Sequence, residues 1–213
     1  LKGGNPLFRP PIAILGKGEY PRHPLALQAL KDANTLICTD GSADHALQRG
    51  LQPQVIIGDL DSTSLDEKTF HGIILHRPDQ EETDMAKALH WCHENGLSPV
   101  TVLGASGMRE DQTLANLHLL AEFCEILSLK LLTNYFTITC HRGKQTFPSF
   151  RGQVVSIFPL NPNRRVLTSG LQYSLTAQPL LSLSQGVSNQ AEGGSFTVDC
   201  PGRVWVFRSH PQD

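Results

Sequence analysis

Short apolar runs alternate with helix-length stretches over the first two thirds of the chain. Ile12–Leu15, Leu36–Cys38, Val55–Ile57, Ile73–Leu75, Val100–Leu103 and Leu131–Leu132 are continuous runs, not alternating ones. Runs of that kind predict strands of a parallel sheet buried on both faces. The stretches between them predict helices. Pro24 suits a first helical position, and Leu25–Lys31 continue from it. Ser42–Arg49 stops at Gly50. Thr83 is placed to cap a helix with Met85, Leu89 and Cys92 on its inner stripe, ending at Asn95-Gly96. Asp111 is placed to cap another, with Leu114, Leu117, Ala121 and Cys124 on one face. Strand-helix alternation predicts right-handed crossovers and a doubly wound, mostly parallel, Rossmann-like sheet.

The pattern changes near Cys140. Arg142 to Gly152 reads as a linker, with two Gly, a Pro and basic residues. Val154–Phe158, Phe196–Val198 and Val204–Phe207 follow, separated by Pro, Gly, Asn and Ser. No helix of useful length fits there. The tail predicts a small antiparallel β-sandwich or jelly roll. The expected fold class is thus α/β followed by all-β, with domains at residues 1–141 and 142–213.

Composition narrows the function classes. The chain has 213 residues, is 39% hydrophobic and carries a net charge of -2. That charge gives no bulk attraction to nucleic acid or to an anionic membrane, so neither is expected as a partner. No apolar run has the length of a membrane-spanning helix. Cys38, Cys92, Cys124, Cys140 and Cys200 are scattered, with no C-x-x-C. A disulfide framework or zinc ribbon is not expected, and a reducing cytoplasm is the simplest compartment. Cys92 and Cys124 are expected to be packed thiols.

The chemistry gathers where predicted strands end. Gly58-Asp59-Leu60-Asp61-Ser62 follows Val55–Ile57, so two carboxylates stand where an open α/β sheet binds ligands. Paired carboxylates beside phosphate suit Mg²⁺, and an Asx-turn is the structural alternative. Asp79-Gln80-Glu81-Glu82-Thr83-Asp84 concentrates acids ahead of a helix, with Lys87 one turn on and in reach of a phosphate. Gly104-Ala105-Ser106-Gly107-Met108-Arg109 runs from a strand into a helix start, a geometry that binds phosphate on backbone N–H groups; Arg109 adds a guanidinium. It is not a Walker A loop. Thr39-Asp40-Gly41 and Gly16-Lys17-Gly18 are further turns at strand ends. His90 and His93 share a helix face, but no third metal ligand accompanies them.

The order and spacing of these motifs resemble the thiamine pyrophosphokinase family. Asp40-Gly41, Gly58–Ser62, Gln80 with Thr83-Asp84 and Lys87-Ala88, and Gly104–Asn116 follow the family's succession. Ser169-Gly170-Leu171-Gln172-Tyr173 and Gly186-Val187-Ser188-Asn189 resemble its later elements. The resemblance implies a homodimer that transfers a diphosphoryl group from ATP to the hydroxyl of thiamine, giving thiamine diphosphate and AMP, with Mg²⁺ as cofactor. It implies that Asp40, Asp59, Asp61 and Asp84 are the metal and catalytic carboxylates, with Asp59, Asp61 and Asp84 on the metal. It sets Gln80 near thiamine, and Arg109 and Asp111 on the nucleotide side with Gly104, Gly107 and Lys87. Ser188 and Asn189 are expected to bind thiamine beside the other subunit's acids. Gln112 departs from the family's usual His. The competing readings are a related Mg²⁺-dependent diphospho- or phosphotransferase acting on another small alcohol, and a non-catalytic nucleotide- or thiamine-binding sensor.

Overall fold

A computed structural model describes residues 8–60 and 70–211. It is a mixed α/β structure that divides into two compact units, Leu1–Asn134 and Tyr135–Asp213.

The first unit contains strands β1 (Ile12–Leu15), β2 (Thr35–Thr39), β3 (Val55–Gly58), β4 (Ile73–His76), β5 (Val100–Leu103) and β6 (Leu129–Leu132). They pair in parallel, in the order β6-β5-β1-β2-β3-β4. Every residue of β1, β2 and β3 is buried, as continuous apolar runs require. Ala13, Leu15, Leu36, Cys38 and Ile56 share a core with Ala26, Leu30, Ala43 and Ala46 from the helices α1 (Pro24–Lys31) and α2 (Ala43–Leu47). Ile12, Ile14, Ile37 and Ile57 point the other way by strand alternation and are equally buried. Each such side chain contributes roughly 1.5–3 kcal/mol over an exposed one. β4 departs from expectation. Among the described residues it has one strand neighbour, β3, and Ile73 stays exposed.

Local signals set the helix ends. Pro24 opens α1, and the His23 ring accepts a hydrogen bond from the Leu25 amide. Helix α3 spans Asp84–Glu94; Thr83 Oγ1 accepts from the Ala86 amide at 3.3 Å. It buries Met85, Leu89 and Cys92 as predicted, and Gly96 beyond its end takes the left-handed conformation at φ 67°. Helix α4 runs Glu110–Phe123, with Arg109 and not Asp111 at its N-cap. Its buried residues are Leu120, Ala121 and Phe123, while Leu114 is 57% exposed and Cys124 only half-buried. Only the last turns of α4 meet the core, so the stripe expected from Leu114 onward is displaced.

The second unit is antiparallel and contains no α-helix among its described residues. Strands β7 (Phe136–Pro148) and β12 (Ser195–Ser209) pair along almost their whole length. Along its other edge β12 pairs first with β9 (Arg165–Ser169), through Thr197–Asp199, and then with β8 (Val154–Pro159), through Val204–Arg208. A bulge between Cys200 and Arg203 separates the two stretches. It absorbs Pro201 and Gly202, two residues, so alternation is kept: Phe196, Val198, Cys200, Val204 and Val206 all enter one core with Phe147, Val155, Ile157 and Val166. β10 (Thr176–Pro179) pairs with β9, and β11 (Asn189–Gln190) with β8.

Two expectations for the tail are corrected here. The presumed linker from Arg142 is mostly strand, so a boundary at 141/142 would cut β7; the compact units meet at Asn134/Tyr135. Phe196–Val198 and Val204–Phe207 are halves of one strand, because Pro201-Gly202 forms a bulge and not a break.

Candidate active site

The strand order reverses at β1, with β2 to β4 on one side and β5 and β6 on the other. In open α/β sheets the crevice beyond the carboxyl ends at such a reversal binds ligands. A crevice of about 680 Å³ lies there, lined by the turns after β1, β3 and β5, by Thr39 at the end of β2 and by the segment leading into α3. That volume is in the range of small-molecule sites.

The turns after β1 and β5 are joined by backbone hydrogen bonds. Gly16 N donates to Leu103 O at 2.8 Å, Gly18 N to Gly104 O at 2.7 Å, and Glu19 N to Ser106 O at 2.8 Å. The contact is too close for side chains. A Cβ on Gly18 would lie 2.6 Å from Gly104 O and Ser106 O, and one on Gly104 would lie 2.6 Å from Gly16 O. Asn116 Nδ2 donates to Ala105 O at 2.9 Å and ties this turn to α4. The glycines thus have a structural reason beyond any ligand.

Across the crevice stand the acids. Asp40 follows β2 and is 2% exposed; Asp59 follows β3; Asp84 opens α3. They converge over Gly58, where a Cβ would lie 2.5 Å from the Asp40 Cβ and 3.0 Å from Asp84 Oδ2. Burial raises the Asp84 carboxyl above its ordinary value, Lys87 lowers it, and Asp59 and Asp40 raise it further. Such mutual repulsion is what a bound cation relieves. Among the described residues no three acidic, His or Cys groups form a ready metal cage. Asp61 and Ser62 lie outside the described residues. Mg²⁺ usually takes one or two carboxylates and completes its shell with phosphate and water, so Asp59 and Asp84 suit it.

The remaining predicted residues divide clearly. Gln80 Nε2 donates to Asp59 Oδ2 at 3.0 Å, which brings Gln80 onto the acid wall. Lys87 lines the crevice, but its amine is spent on Arg77 O at 2.7 Å and Asp79 O at 2.6 Å, with Asp84 Oδ1 at 3.6 Å. It clamps the segment before α3 instead of reaching outward. Arg109 pairs with Asp111 through two hydrogen bonds, Nε to Oδ1 at 3.1 Å and NH2 to Oδ2 at 2.5 Å. That pairing raises the Arg109 guanidinium and lowers the Asp111 carboxyl, which also accepts from the Gln112 amide. Gln112 itself lines the crevice. Glu82 meets His90 at 3.1 Å, and the His90 ring packs on Phe123, which accounts for both without a metal.

In the second unit Asn189 is 2% exposed, and its side chain grips Tyr173: Oδ1 accepts from the Tyr173 amide at 3.0 Å and Nδ2 donates to its carbonyl at 2.6 Å. Ser188 has φ 58°, and its amide donates to Ser156 Oγ at 3.1 Å. The side chain of Asn189 is therefore a tie that presents Tyr173. Lys17, Thr39 and Met108 are among the crevice residues to which the sequence assigned no site role. Met108 holds a left-handed φ of 65° and is 77% exposed, which no apolar pattern signals.

A crevice at a strand-order reversal, with acids on one wall and a glycine turn on the other, defines a mixed α/β protein of the kind that holds small ligands beyond its strand ends. Comparison with known proteins makes this specific. Residues 26–131 match the thiamin pyrophosphokinase catalytic domain, and residues 135–207 match the thiamin pyrophosphokinase substrate-binding domain. Thiamin pyrophosphokinase 1 of Caenorhabditis elegans is 32% identical over 98 residues, a stretch covering 42% of this chain and 40% of that protein's length. Thiamine pyrophosphokinase 3 of Oryza sativa subsp. japonica is 26% identical over 82% of this chain and 79% of its own. The crystal structure of thiamine pyrophosphokinase from Bacillus subtilis shares the fold, with a TM-score of 0.79 and 20% identity over 94% of this chain and 99% of that one. The chain belongs to the thiamin pyrophosphokinase family, transferases whose reaction passes a diphosphoryl group from ATP to thiamine.

Proposed function

We propose that this chain carries out the family reaction in the crevice beyond the strand ends, between the joined β1 and β5 turns and the acid wall. The observation that carries the reading is the pairing of an acid wall (Asp59 and Asp84, with the buried Asp40 beside them over Gly58) with a glycine turn leading to Arg109. The thiamine hydroxyl oxygen forms a bond to the β-phosphorus of ATP. The bond from that phosphorus to the bridging oxygen breaks, and its electron pair leaves with AMP. Asp40 takes the hydroxyl proton directly or through water. Mg²⁺ on Asp59 and Asp84, with Asp61 as the further ligand, supplies charge neutralisation at the phosphates. Arg109 leaves Asp111 for a phosphate, since guanidinium pairs with either oxyanion. The turn Gly104–Gly107 offers backbone N–H groups to the nucleotide, and Gln80 faces thiamine.

The second unit is assigned to thiamine and to self-association; we read its strands as a sandwich or jelly roll and the first unit as a doubly wound, Rossmann-like fold. Support comes from the matched substrate-binding model and from the aromatic outer face of β12. There Trp205 and Phe207 are half-buried, and the Phe207 ring meets Phe136 and Phe158 edge-on. A homodimer with Ser188 and Asn189 of one subunit near the acids of the other is the arrangement we favour. Five free thiols fit a reducing cytoplasm, with burial pushing Cys38 and Cys92 up to about 12. No described helix is long and apolar enough to cross a membrane. Neither nucleic acid nor membrane is assigned as a partner. The test is AMP release from ATP and Mg²⁺. Release that requires thiamine supports the reading; release indifferent to thiamine, or none with it, refutes it.

A further inference from the structure

Three cations line the crevice among the described residues: Lys17, Lys87 and Arg109. Two are already engaged. The Lys87 amine donates to two backbone carbonyls from a site 8% exposed, and Arg109 is held in a two-bonded fork by Asp111. Lys17 differs. It is exposed, and no carboxylate among the described residues pairs with its amine. Its side chain nonetheless has a defined course. A Cβ built on Gly41 would lie 2.5 Å from the Lys17 amine nitrogen and 2.6 Å from both Cδ and Cε. The lysine therefore runs flat across Gly41, in the 3-10 turn Asp40–Ser42 that carries the buried Asp40. It starts from the β1 turn, whose backbone is fixed to the β5 turn by the bonds described above.

We propose that Lys17, laid across Gly41 at the strand-order reversal, is a second protein cation, beside Arg109, that receives the polyphosphate of ATP, and that position 41 is glycine to leave room for it. The inference rests on the proposed reaction for the identity of the anion. An ammonium on a fixed turn supplies a point charge without needing the planar match that a guanidinium uses. It also stands between the glycine turns after β1 and β5 and the acid wall, where a second cation is expected. No left-handed conformation accounts for Gly41, because its φ is outside that region. The lysine does account for it.

Equilibrium binding of a non-hydrolysable ATP analogue with Mg²⁺, and the steady-state KM for ATP and for thiamine, test this together. Lys17→Gln should weaken analogue binding and raise the ATP KM about tenfold, leaving the thiamine KM within about twofold, while Lys17→Arg restores most of the loss. Gly41→Ala should displace the lysine and give a loss of the same kind. The double variant should then be no worse than the poorer single one, because both changes remove one interaction. Analogue binding within about twofold of wild type for Lys17→Gln would overturn the proposal, as would losses that add in the double variant. Should Gly41→Ala fail to fold, the Gln and Arg variants decide alone. A wild type that binds the analogue yet releases no AMP counts against the reaction, and the binding series still judges Lys17.

Discussion

On one side of the crevice, Asp40 and Lys87 sit in buried backbone, with Asp84 tied in beside them at the start of α3. On the other side, Arg109, Asp111 and Met108 stand in solvent on the turn before α4. The first wall is rigid because its charges are held by the fold. The second is open because its charges are held by one another. A rigid acid wall keeps like charges together at a cost the core must offset, and so preorganises a cation site. An open basic wall exchanges one oxyanion partner for another with little reorganisation. The two walls should therefore answer mutation differently, the first in turnover and stability, the second in substrate affinity.

The largest effect is expected at Asp59. Asp59→Asn keeps the size and the contact with Gln80 while removing charge from the cation site. Turnover should fall at least about 100-fold with the thermal midpoint essentially unchanged. Near-normal turnover at limiting Mg²⁺ would show that the acid wall does not hold the metal.

Next comes the clamp. Lys87→Met retains an unbranched stem but leaves the carbonyls of Arg77 and Asp79 without their donor. Arg77 and Asp79 are themselves exposed, so water takes up part of the lost bonding; at about 0.5–1.5 kcal/mol per bond the variant should lose on the order of 1–3 kcal/mol in denaturant unfolding. If stability held and only the ATP KM rose, Lys87 would be a phosphate ligand after all, and the contrast between the walls would fail on its rigid side.

Arg109→Ala tests the open side. The pair with Asp111 is fully exposed, so its loss should leave stability unchanged. The ATP KM should rise about tenfold, with the thiamine KM flat. A thiamine KM that rose alone would put Arg109 on the wrong substrate.

Most of the first wall was legible in the sequence, because acids directly after apolar runs are strand-end acids whatever the sheet order. The six strands of the first unit were legible for the same reason. The role of Lys87 was not. Three residues after Asp84 it reads as a reaching cation, and only the backbone course of Arg77 to Asp79 reveals two carbonyls turned toward it. Lys17 and Met108 were visible only as members of strand-end turns, since nothing in their neighbourhood marks what lies across the crevice. In the second unit, long strands with polar outer positions hid β7 behind Arg142, Gly143 and Lys144, and Pro201-Gly202 concealed the continuity of β12. Alternation there is kept by pairing between residues some sixty apart, which no local pattern encodes. Asn189 belongs to a motif visible in the sequence, but its partner Tyr173 lies sixteen residues away, so the tie between them has no local signal.

The subtlest expected effect concerns Asp84 and follows from its raised pKa. Burial is the main cause, and neighbouring Asp59 and Asp40 add to it, while Lys87 opposes. A carboxyl whose folded pKa lies above its unfolded value binds its proton more tightly in the folded state. The ionised form therefore weakens the fold. That cost is absent below the ordinary carboxylate range, grows as pH rises through the window between the unfolded and folded values, and is fully present above it. Asp84→Asn removes the cost. In the absence of Mg²⁺ and nucleotide, its thermal midpoint at neutral pH should exceed that of the wild type, and the difference should vanish once pH falls well below 3.8, the ordinary value for Asp. Adding Mg²⁺ should raise the wild-type midpoint and not the variant's, because a ligand that binds only the folded acid wall stabilises only the chain that still has it. A variant less stable than wild type at neutral pH would mean that Lys87 and the α3 N-terminus hold Asp84 more strongly than its acidic neighbours repel it. The acid wall would then be self-compensated, as Arg109 and Asp111 are, and the difference between the two walls would reduce to burial alone.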